Sequence, residues 1–197
     1  MATPDLKWPR LRRATNADCE PVRNLVFAVL GEYGLKPDLA STDADLCDIE
    51  RSYFQCGGVF YVLEEEDGSI IGSYGLFPIA DSRSAGAGPR ACPDGLTPCE
   101  GAGNHRGLPL HAPRATLPTC ELRKMYLHRD YRGKGHGKRL LEHALAEARR
   151  LGFKTITLET ASVLTEAILL YERYGFHPYQ PPHLSPRCDQ AYILELK

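Results

Sequence analysis

The chain has 197 residues, a formal net charge of −1 at pH 7, and 43% hydrophobic and 25% charged residues. This length suits a single domain with a substantial core, and the balanced charge provides no basic field for nucleic acid or an anionic membrane. The apolar runs are too short for a membrane span, and the starting sequence MATPDLKWPRLRR lacks the apolar block of a secretory signal. Seven cysteines without such a signal indicate free thiols in a reducing, cytoplasmic setting.

The first predicted elements are a strand over residues 8–14 and a helix that follows it. Thr15 and Asn16 both have side chains that cap helix N-termini. The apolar residues after them recur at the spacing of one helix face: Val22, Leu25, Val26, Val29 and Leu30. The glycines and the proline within residues 31–37 end this helix.

Two further elements are predicted before residue 80. Residues 43–53 favour a short helix with three apolar side chains on one side, Leu46, Ile49 and Tyr53. Residues 58–79 contain two β-rich segments around Asp67-Gly68, a dipeptide typical of hairpin turns. We therefore expect a helix followed by an antiparallel hairpin.

Residues 81–118 differ from the rest of the chain, because six glycines and six prolines among 38 residues are too many for regular structure. They are predicted to form a long loop inserted between two strands. The segment also carries four residues of the types that bind zinc, Cys92, Cys99, His105 and His111. Structural zinc sites usually begin with a closer cysteine pair, so a lid or an ordinary loop is favoured and no metal is expected.

Regular patterns return after this segment. Residues 120–127 (CELRKMYL) predict a strand, and residues 155–159 (TITLE) predict another. Between them lies a helix that ends at Gly152. Its apolar face consists of Leu140, Leu141, Ala144, Leu145, Ala148 and Leu151.

Ser162 is the predicted N-cap of a last helix, which ends at Gly175. The face of this helix carries Val163, Ala167, Leu170, Tyr171 and Tyr174. Residues 176–180 and 191–196 are the closing strands. The order of these elements, with an early hairpin and a late strand–helix–strand–helix unit, predicts an α/β (α+β) fold with a mixed sheet covered by helices.

Residues 131–145, YRGKGHGKRLLEHAL, place three glycines and several basic residues immediately before a helical pattern. The first amides of a helix lack partners within the helix and carry the positive end of its dipole. Since glycine lets such a backbone approach a ligand closely, the stretch predicts a phosphate or pyrophosphate site. The P-loop and Rossmann motifs are excluded, because no Ser or Thr follows the glycines and their spacing is G-x-G-x-G. The alternative is a solvated, glycine-rich turn.

The segment Arg132–Gly137, RGKGHG, resembles the R/Q-x-x-G-x-G/A motif of the GNAT N-acetyltransferases. The resemblance extends over Thr119–His177, including LLYERYGF with its Y-x-x-x-G-F pattern, and also covers Arg10–Ile79. It is absent from residues 81–118. The resemblance implies one domain over residues 1–197 with that insertion and the GNAT acyl-CoA N-acyltransferase fold, a mixed, mostly antiparallel central sheet flanked by helices.

The resemblance also implies acetyl-CoA as co-substrate. In the family the glycine loop holds the pyrophosphate through its backbone amides, which here belong to Arg132, Gly133, Lys134, Gly135, His136, Gly137 and Lys138. Met125, Tyr126 and Leu127 lie where the family's strand diverges from its neighbour and binds the pantetheine arm and acetyl carbonyl. Tyr171 matches the usual general acid. Leu164 stands where the family often has Asn, so one cofactor contact is expected to be missing or replaced.

Acetyl transfer to an amine requires the neutral amine, whereas a lysine-like amine with a pKa of about 10.4 is mostly protonated at neutral pH. Glu121 is the candidate base. A period of two places it on one strand face with Arg123, Met125 and Leu127. The alternatives are Glu159 or a water chain as base, with Glu121 as a salt-bridged residue or a substrate anchor. A covalent route through Cys120 is disfavoured, because no adjacent histidine activates the thiol.

Two regions are candidates for the acceptor side of the site, residues 32–53 and the proline-rich segment 181–190 with His183, Arg187 and Asp189. Three other charged residues near the predicted strand are interpreted mainly as solvated charges, namely Arg123, Lys124 and Arg129.

These observations together lead to the hypothesis of an N-acetyltransferase that transfers acetyl from acetyl-CoA directly to a primary amine of a small molecule. A protein lysine or N-terminus is the alternative acceptor. A non-catalytic acyl-CoA-binding regulatory module is the alternative from another class, and the presence of Tyr171 favours the enzyme. The expected partners are acetyl-CoA and the amine, without nucleic acid or membrane, for a monomer or homodimer.

Overall fold

The structure, a computed structural model, describes residues 9–79 and 119–197. The strands are β1 Arg10–Arg13, β2 Val59–Glu64, β3 Ile70–Ile79, β4 Thr119–Leu127, β5 Thr155–Thr160, β6 His177–Pro178 and β7 Gln190–Glu195. The α-helices are α1 Cys19–Glu32, α2 His136–Arg150 and α3 Thr165–Arg173. Short helical turns cover Asn16–Asp18, Ala44–Leu46, Glu50–Phe54 and Arg129–Tyr131. The predicted loop 81–118, with its cysteines and histidines, lies outside the described residues.

The strands form one sheet in the order β1-β2-β3-β4-β5-β7-β6. β4 and β5 are parallel, and the other neighbouring pairs are antiparallel. A parallel pair needs a long crossover connection, which α2 supplies. The predicted mixed, mostly antiparallel sheet with flanking helices is therefore confirmed.

Two hydrophobic clusters lie on opposite faces of this sheet. The α2 cluster joins α2 and α3 to the strands and includes Leu140, Leu141, Ala144, Ile156, Tyr171 and Phe176. The α1 cluster joins α1 and residues 44–54 to the strands and includes Val22, Val26, Leu30, Leu46, Ile49, Tyr53 and Phe60. Adjacent β2 residues divide between them, since Val59 belongs to the α2 cluster and Phe60 to the α1 cluster. The predicted apolar faces of α1 and α2 are thus the buried faces.

The helix predicted over residues 43–53 is not continuous. The structure has two separate turns, Ala44–Leu46 and Glu50–Phe54. Asp48 lies between them, and its Oδ1 accepts a hydrogen bond of 2.9 Å from the Arg51 amide. Aspartate side chains that bond nearby amides in this way compete with helix continuation. The three apolar residues that suggested the helix are nevertheless fully buried: Leu46, Ile49 and Tyr53.

Of the two predicted helix caps, the first is displaced by one short turn, because the N-cap of α1 itself is Asp18, and the second is wrong. Thr15 forms a capping box with Asp18 at the short turn that precedes α1. Ser162 does not cap α3, whose N-cap is Leu164. The Ser162 hydroxyl instead donates a hydrogen bond of 2.6 Å to Asp189, which lies just before β7.

Gly75 in β3 has no room for a side chain, and this gives a test of the packing between the hairpin and the α1 cluster. A Cβ at this position would lie 2.4 Å from Tyr53 Cε1 and 2.9 Å from Phe60 Cδ2. We expect Gly75→Ala to lower the free energy of unfolding by about 2 kcal/mol, because both rings are packed in the core. Urea unfolding followed by circular dichroism measures the change.

Gly31→Ala is the matched control, because Gly31 lies in α1 with nothing within 4 Å of an added Cβ. It should leave stability unchanged or raise it by up to about 1 kcal/mol. Equal losses in both variants would contradict the packing described for Gly75.

Candidate active site

A gap between two parallel strands creates the site. β4 pairs with β5 from Thr119 to Leu122, opposite Thr155 to Leu158. Both strands continue beyond this ladder, β4 to Leu127 and β5 to Thr160. The strands therefore separate after Leu122, as the resemblance implied, and the β4 edge beyond that point faces a cavity.

A β-bulge at Lys124 reshapes β4 at the start of this gap. Lys124 and Met125 together lie opposite the single β3 residue Tyr74. Lys124 has φ 51°, in the left-handed region that residues other than glycine rarely adopt. Its carbonyl accepts a buried hydrogen bond of 2.8 Å from Ser73 Oγ. Backbone strain of this kind concentrates at functional sites.

The bulge also changes the side of the sheet to which β4 residues point. Met125 and Leu127 pack against the α2 cluster. Arg123 instead lies over the ring of Phe77, 4.1 Å from its centroid, on the side of the α1 cluster. The expectation that Glu121 shares a face with Met125 and Leu127 is therefore wrong, because the extra bulge residue interrupts the period of two.

The gap opens into a cavity of about 830 Å³. Its walls come from β4, the glycine loop, the start and inner face of α3, and two segments at residues 41–45 and 185–188. The lining residues include Lys124, Met125, Tyr126, Gly133, Gly135, Tyr171, Glu121, Glu159 and Arg187. One cavity thus joins the predicted donor site to both predicted acceptor segments.

The glycine loop forms the end of the cavity at which the resemblance places the donor. Gly133 and Gly135 have φ values of 74° and 87°, so both use the left-handed backbone that favours glycine. The helix begins directly afterwards, with a hydrogen bond of 3.0 Å from the Arg139 amide to the Gly135 carbonyl. The amides of Gly137 and Lys138 precede this bond in the first turn, where a helix attracts anions.

The side chains of this loop play different parts from its backbone. Arg132 donates to the Leu127 carbonyl at 3.0 Å and to the Glu32 carboxylate at 2.7 Å, and so joins the loop to β4 and α1. His136 is buried, and burial lowers the pKa of its imidazole, which is therefore neutral at pH 7. Lys134 and Lys138 are exposed. Backbone amides and these two lysines are the groups suited to a pyrophosphate.

Tyr171 projects from α3 into the cavity wall and is only 6% exposed. Burial raises the pKa of its phenol above the ordinary range, and the nearby Tyr126 raises it further. The hydroxyl consequently keeps its proton at neutral pH and suits a proton donor. Tyr174, in contrast, donates to Glu142 at 2.7 Å on the exposed side of the helix.

Two carboxylates line the other end of the cavity. Glu121 uses its Oε2 to accept from Arg123 Nε at 2.7 Å, and Nη2 of the same guanidinium lies 2.5 Å away. Glu159 Oε2 accepts a hydrogen bond of 2.9 Å from the Ser185 amide. Both candidate bases therefore lie at the cavity, on neighbouring strands.

Cys120 adjoins Glu121 in sequence but points into the α2 cluster with no exposed surface. Burial raises the pKa of its thiol to about 12. A neutral, enclosed thiol is a poor nucleophile, which agrees with the expectation against a covalent route.

Lys124 is the residue that sequence reasoning misjudged most clearly. It was interpreted as a solvated charge, yet it is 8% exposed and its Nζ lies 2.8 Å from Asp43 Oδ1. Asp43 is fully buried and also accepts two hydrogen bonds of 2.6 Å from Arg187. The nearest sequence signals were the two acceptor segments, which contain Asp43 and Arg187, but no local pattern paired these residues.

Known proteins share both the sequence and the fold. Residues 26–176 match the sequence profile of the acetyltransferase (GNAT) family. The chain is 34% identical over 170 residues to the uncharacterized N-acetyltransferase YjgM of Escherichia coli. The aligned residues cover 85% of this chain and 81% of that protein.

The solved structures include an acetyltransferase of the GNAT family from Staphylococcus aureus Mu50, with a TM-score of 0.72 and 19% identity over 95% of this chain and 99% of the other. YncA from Salmonella typhimurium, solved with its cofactor acetyl-CoA, gives a TM-score of 0.59 and 22% identity over 96% and 94% of the two chains. The chain therefore belongs to the GNAT family, and it is an acetyl-CoA-dependent N-acetyltransferase.

Two features are absent from residues 9–79 and 119–197, the part of the chain that the structure describes. Within these ranges, no helix combines the length and the apolar character needed to cross a membrane. No three His, Cys, Asp or Glu side chains within them come together as a metal site.

The role of the glycine backbone can be tested at Gly133. An added Cβ at Gly133 meets nothing within 4 Å, so Gly133→Ala disturbs the φ of 74° rather than the packing. A left-handed alanine costs roughly 1–2 kcal/mol, and the loop is expected to relax away from its anion-binding form. We expect CoA to bind about tenfold more weakly, since about 1.4 kcal/mol corresponds to tenfold, as measured by titration calorimetry.

Gly152→Ala is the matched control, with φ 87°, no atom within 4 Å, and a position at the opposite end of α2. It should lose similar stability but retain the wild-type dissociation constant for CoA. Equal weakening by both variants would show that loss of stability, rather than the loop geometry, sets the affinity.

Proposed function

We propose that this GNAT enzyme transfers acetyl from acetyl-CoA directly to a primary amine of a small molecule. The observation that carries the proposal is the single cavity that joins the helix-start anion site, the buried Tyr171 and the carboxylates of Glu121 and Glu159. Donor binding, proton donation and proton acceptance are thus served by adjoining walls of one space.

The donor end suits acetyl-CoA in charge and in shape. The glycine loop offers first-turn amides to a pyrophosphate, and exposed Lys134 and Lys138 add positive charge. Beyond Leu122 the edge of β4 is free of β5, so backbone groups near Met125 and Tyr126 are available to an extended pantetheine arm. Leu164, in the position where the family often has Asn, lines the same channel as an apolar contact.

The cavity residues can supply both proton transfers. When bound, acetyl-CoA supplies an activated acetyl group whose C–S bond breaks as the amine nitrogen forms a C–N bond. Glu121 accepts the proton that the amine loses, directly or through water, and Tyr171 donates its proton to the departing sulfur. An acceptor that binds as the ammonium form loses its second proton to solvent as the amide forms. Solvent exchange then returns a proton to Tyr171 and removes one from Glu121, so acetylation of an ammonium releases one net proton.

The acceptor end supports a small molecule more than a protein chain. The segments 41–45 and 185–188 wall this end of the cavity, with Asp43 bonded to Arg187 across them. A panel of free amino acids, spermidine, an aminoglycoside and a lysine-containing peptide, assayed by release of free CoA, tests this class. Fastest release with the peptide would favour the protein acceptor instead.

Tyr171→Phe tests the assignment of Tyr171 as the acid that protonates the leaving sulfur. The phenylalanine keeps the buried ring but removes the proton donor, so we expect kcat to fall by about 10²-fold or more. The dissociation constant for CoA should stay within about twofold, because the hydroxyl acts on the leaving sulfur. Steady-state kinetics and titration calorimetry measure the two effects.

Tyr174→Phe is the control, because the Tyr174 hydroxyl bonds to Glu142 on the outside of the same helix. It should keep the wild-type kcat. If Tyr171→Phe turns over as fast as the wild type, another group is the acid.

Glu121→Gln tests the base by its pH dependence. A base matters most when the amine is protonated, so kcat/KM should fall by about tenfold or more at pH 7. The deficit should shrink toward pH 10, where an amine with a pKa of about 10.4 supplies its own neutral form. Kinetics from pH 6 to 10 with the best amine of the panel measure this ratio.

Glu159→Gln serves as the comparison, since Glu159 lies at the same cavity but bonds to the Ser185 amide. A deficit in Glu121→Gln that is the same at every pH would identify Glu121 as an anchor for the acceptor. A pH-dependent deficit in Glu159→Gln alone would transfer the role of base to Glu159.

A further inference from the structure

A group of four charges, two of them buried and two half-buried, lies beside the cavity and has no part in the proposed proton transfers. Asp43 is at its centre, with no exposed surface. Lys124 Nζ approaches Asp43 Oδ1 at 2.8 Å, and Arg187 bonds to both Asp43 oxygens at 2.6 Å. Asp45 completes the group, with its Oδ1 3.3 Å from Lys124 Nζ.

These contacts join three segments that are far apart in the sequence. Lys124 is the bulge residue of β4, Asp43 and Asp45 belong to the segment before residue 48, and Arg187 belongs to the segment before β7. Lys124 Nζ also donates to the Thr42 carbonyl at 2.6 Å. The side chain of the strained strand residue thus holds one acceptor segment directly and the second through Asp43.

Removing these charges from water costs free energy, which only close pairing between them can offset. Charges removed from water must be paired with good geometry to recover their hydration, and the bidentate contact of Arg187 with Asp43 is the most directional form of such pairing. Burial alone would raise the pKa of Asp43, but Arg187 and Lys124 hold it well below its usual range, so the carboxylate stays ionised. The charges of the two carboxylates and the two cations sum to zero, so the group provides fixed geometry rather than net charge.

The same segments form the acceptor end of the cavity, where Thr42, Asp45, Lys124 and Arg187 are lining residues. We propose that Asp43 is a positioning residue for the acceptor amine, because through Lys124 and Arg187 it holds both acceptor segments against the β4 bulge in one arrangement. This inference rests on the proposed function for its kinetic consequence. The glycine loop that binds the donor lies elsewhere, so the effect is confined to the acceptor.

Asp43→Asn in the full-length protein is the principal test, because it removes the charge and nearly preserves the shape. Hydrogen exchange measured by mass spectrometry should rise about tenfold or more in residues 38–47 and in residues 183–189 together. With the best amine of the panel, the acceptor KM should rise about tenfold while the dissociation constant for CoA changes less than about twofold.

Asp18→Asn is the matched control. Asp18 is also buried, and it accepts two hydrogen bonds of 2.8 Å from one arginine, Arg12. It lies in the short turn between β1 and α1, outside both acceptor segments. Asp18→Asn should raise hydrogen exchange in the residues around position 18. It should leave the acceptor KM and the hydrogen exchange of both acceptor segments unchanged.

A second pair of variants keeps the test decisive if Asp43→Asn does not fold. Arg187→Met removes one arm and leaves Lys124 paired with Asp43, so faster exchange should be confined to residues 183–189, with a smaller rise in the acceptor KM. Arg187→Lys, which keeps the charge but loses the bidentate contact, should fall between this variant and the wild type.

The exchange measurement needs no turnover, so it separates this inference from the proposed reaction. Unchanged exchange in either acceptor segment of Asp43→Asn, or in residues 183–189 of Arg187→Met, would overturn the coupling. Looser segments with an unaltered acceptor KM, or a parallel loss of CoA affinity, would overturn the positioning role. A lack of activity toward every amine in the wild type would contradict the proposed function while leaving the exchange result to decide the coupling.

Discussion

The separation of β4 from β5 after Leu122 is the constraint on which the rest of the site depends. A parallel ladder uses the backbone groups of both strands, and this one ends while both strands continue. The backbone groups on the free edge of β4 can therefore form hydrogen bonds with a ligand instead of with β5. The crossover helix α2 begins close to the end of β4, so the same topology places the glycine loop at the mouth of the gap. Tyr171 reaches the gap from α3, the helix that follows β5.

The parts of this arrangement that repeat with a regular period were predictable from the sequence. Apolar residues at helical spacing indicated α1 and α2, and Asp67-Gly68 indicated the β2–β3 turn. The glycine loop was predictable because its signal is local. Glycines and cations stand directly before a helix, so neighbouring residues alone determine the shape of the backbone there. The role of Tyr171 as the acid remains a prediction from the resemblance to the family's Y-x-x-x-G-F pattern, and the structure places its side chain in the cavity wall.

The features that escaped prediction arise where distant parts of the chain meet. A period of two assumes an unbroken strand, and the single extra residue at Lys124 reverses the face of Met125 and Leu127 relative to Glu121. Nothing near Lys124 in the sequence reveals that its charge is buried, because its partner Asp43 is 81 residues away. Residues 43–53 had helical spacing, yet Asp48 interrupts them with its own hydrogen bond.

The two ends of the cavity differ in the same way, because one depends on neighbouring residues and the other on contacts between distant segments. The proposed donor end is built from consecutive residues, so its geometry is determined by short-range backbone preferences at Gly133 and Gly135. The proposed acceptor end is built from separate segments that are joined by a few directional contacts to Asp43. Since that charge group is internally neutral, it adds little attraction of its own for a charged amine. We therefore expect selectivity at this end to come from the shape that the group maintains and from the other polar groups that line it, which include Glu121, paired with Arg123, and Glu159, bonded to the Ser185 amide.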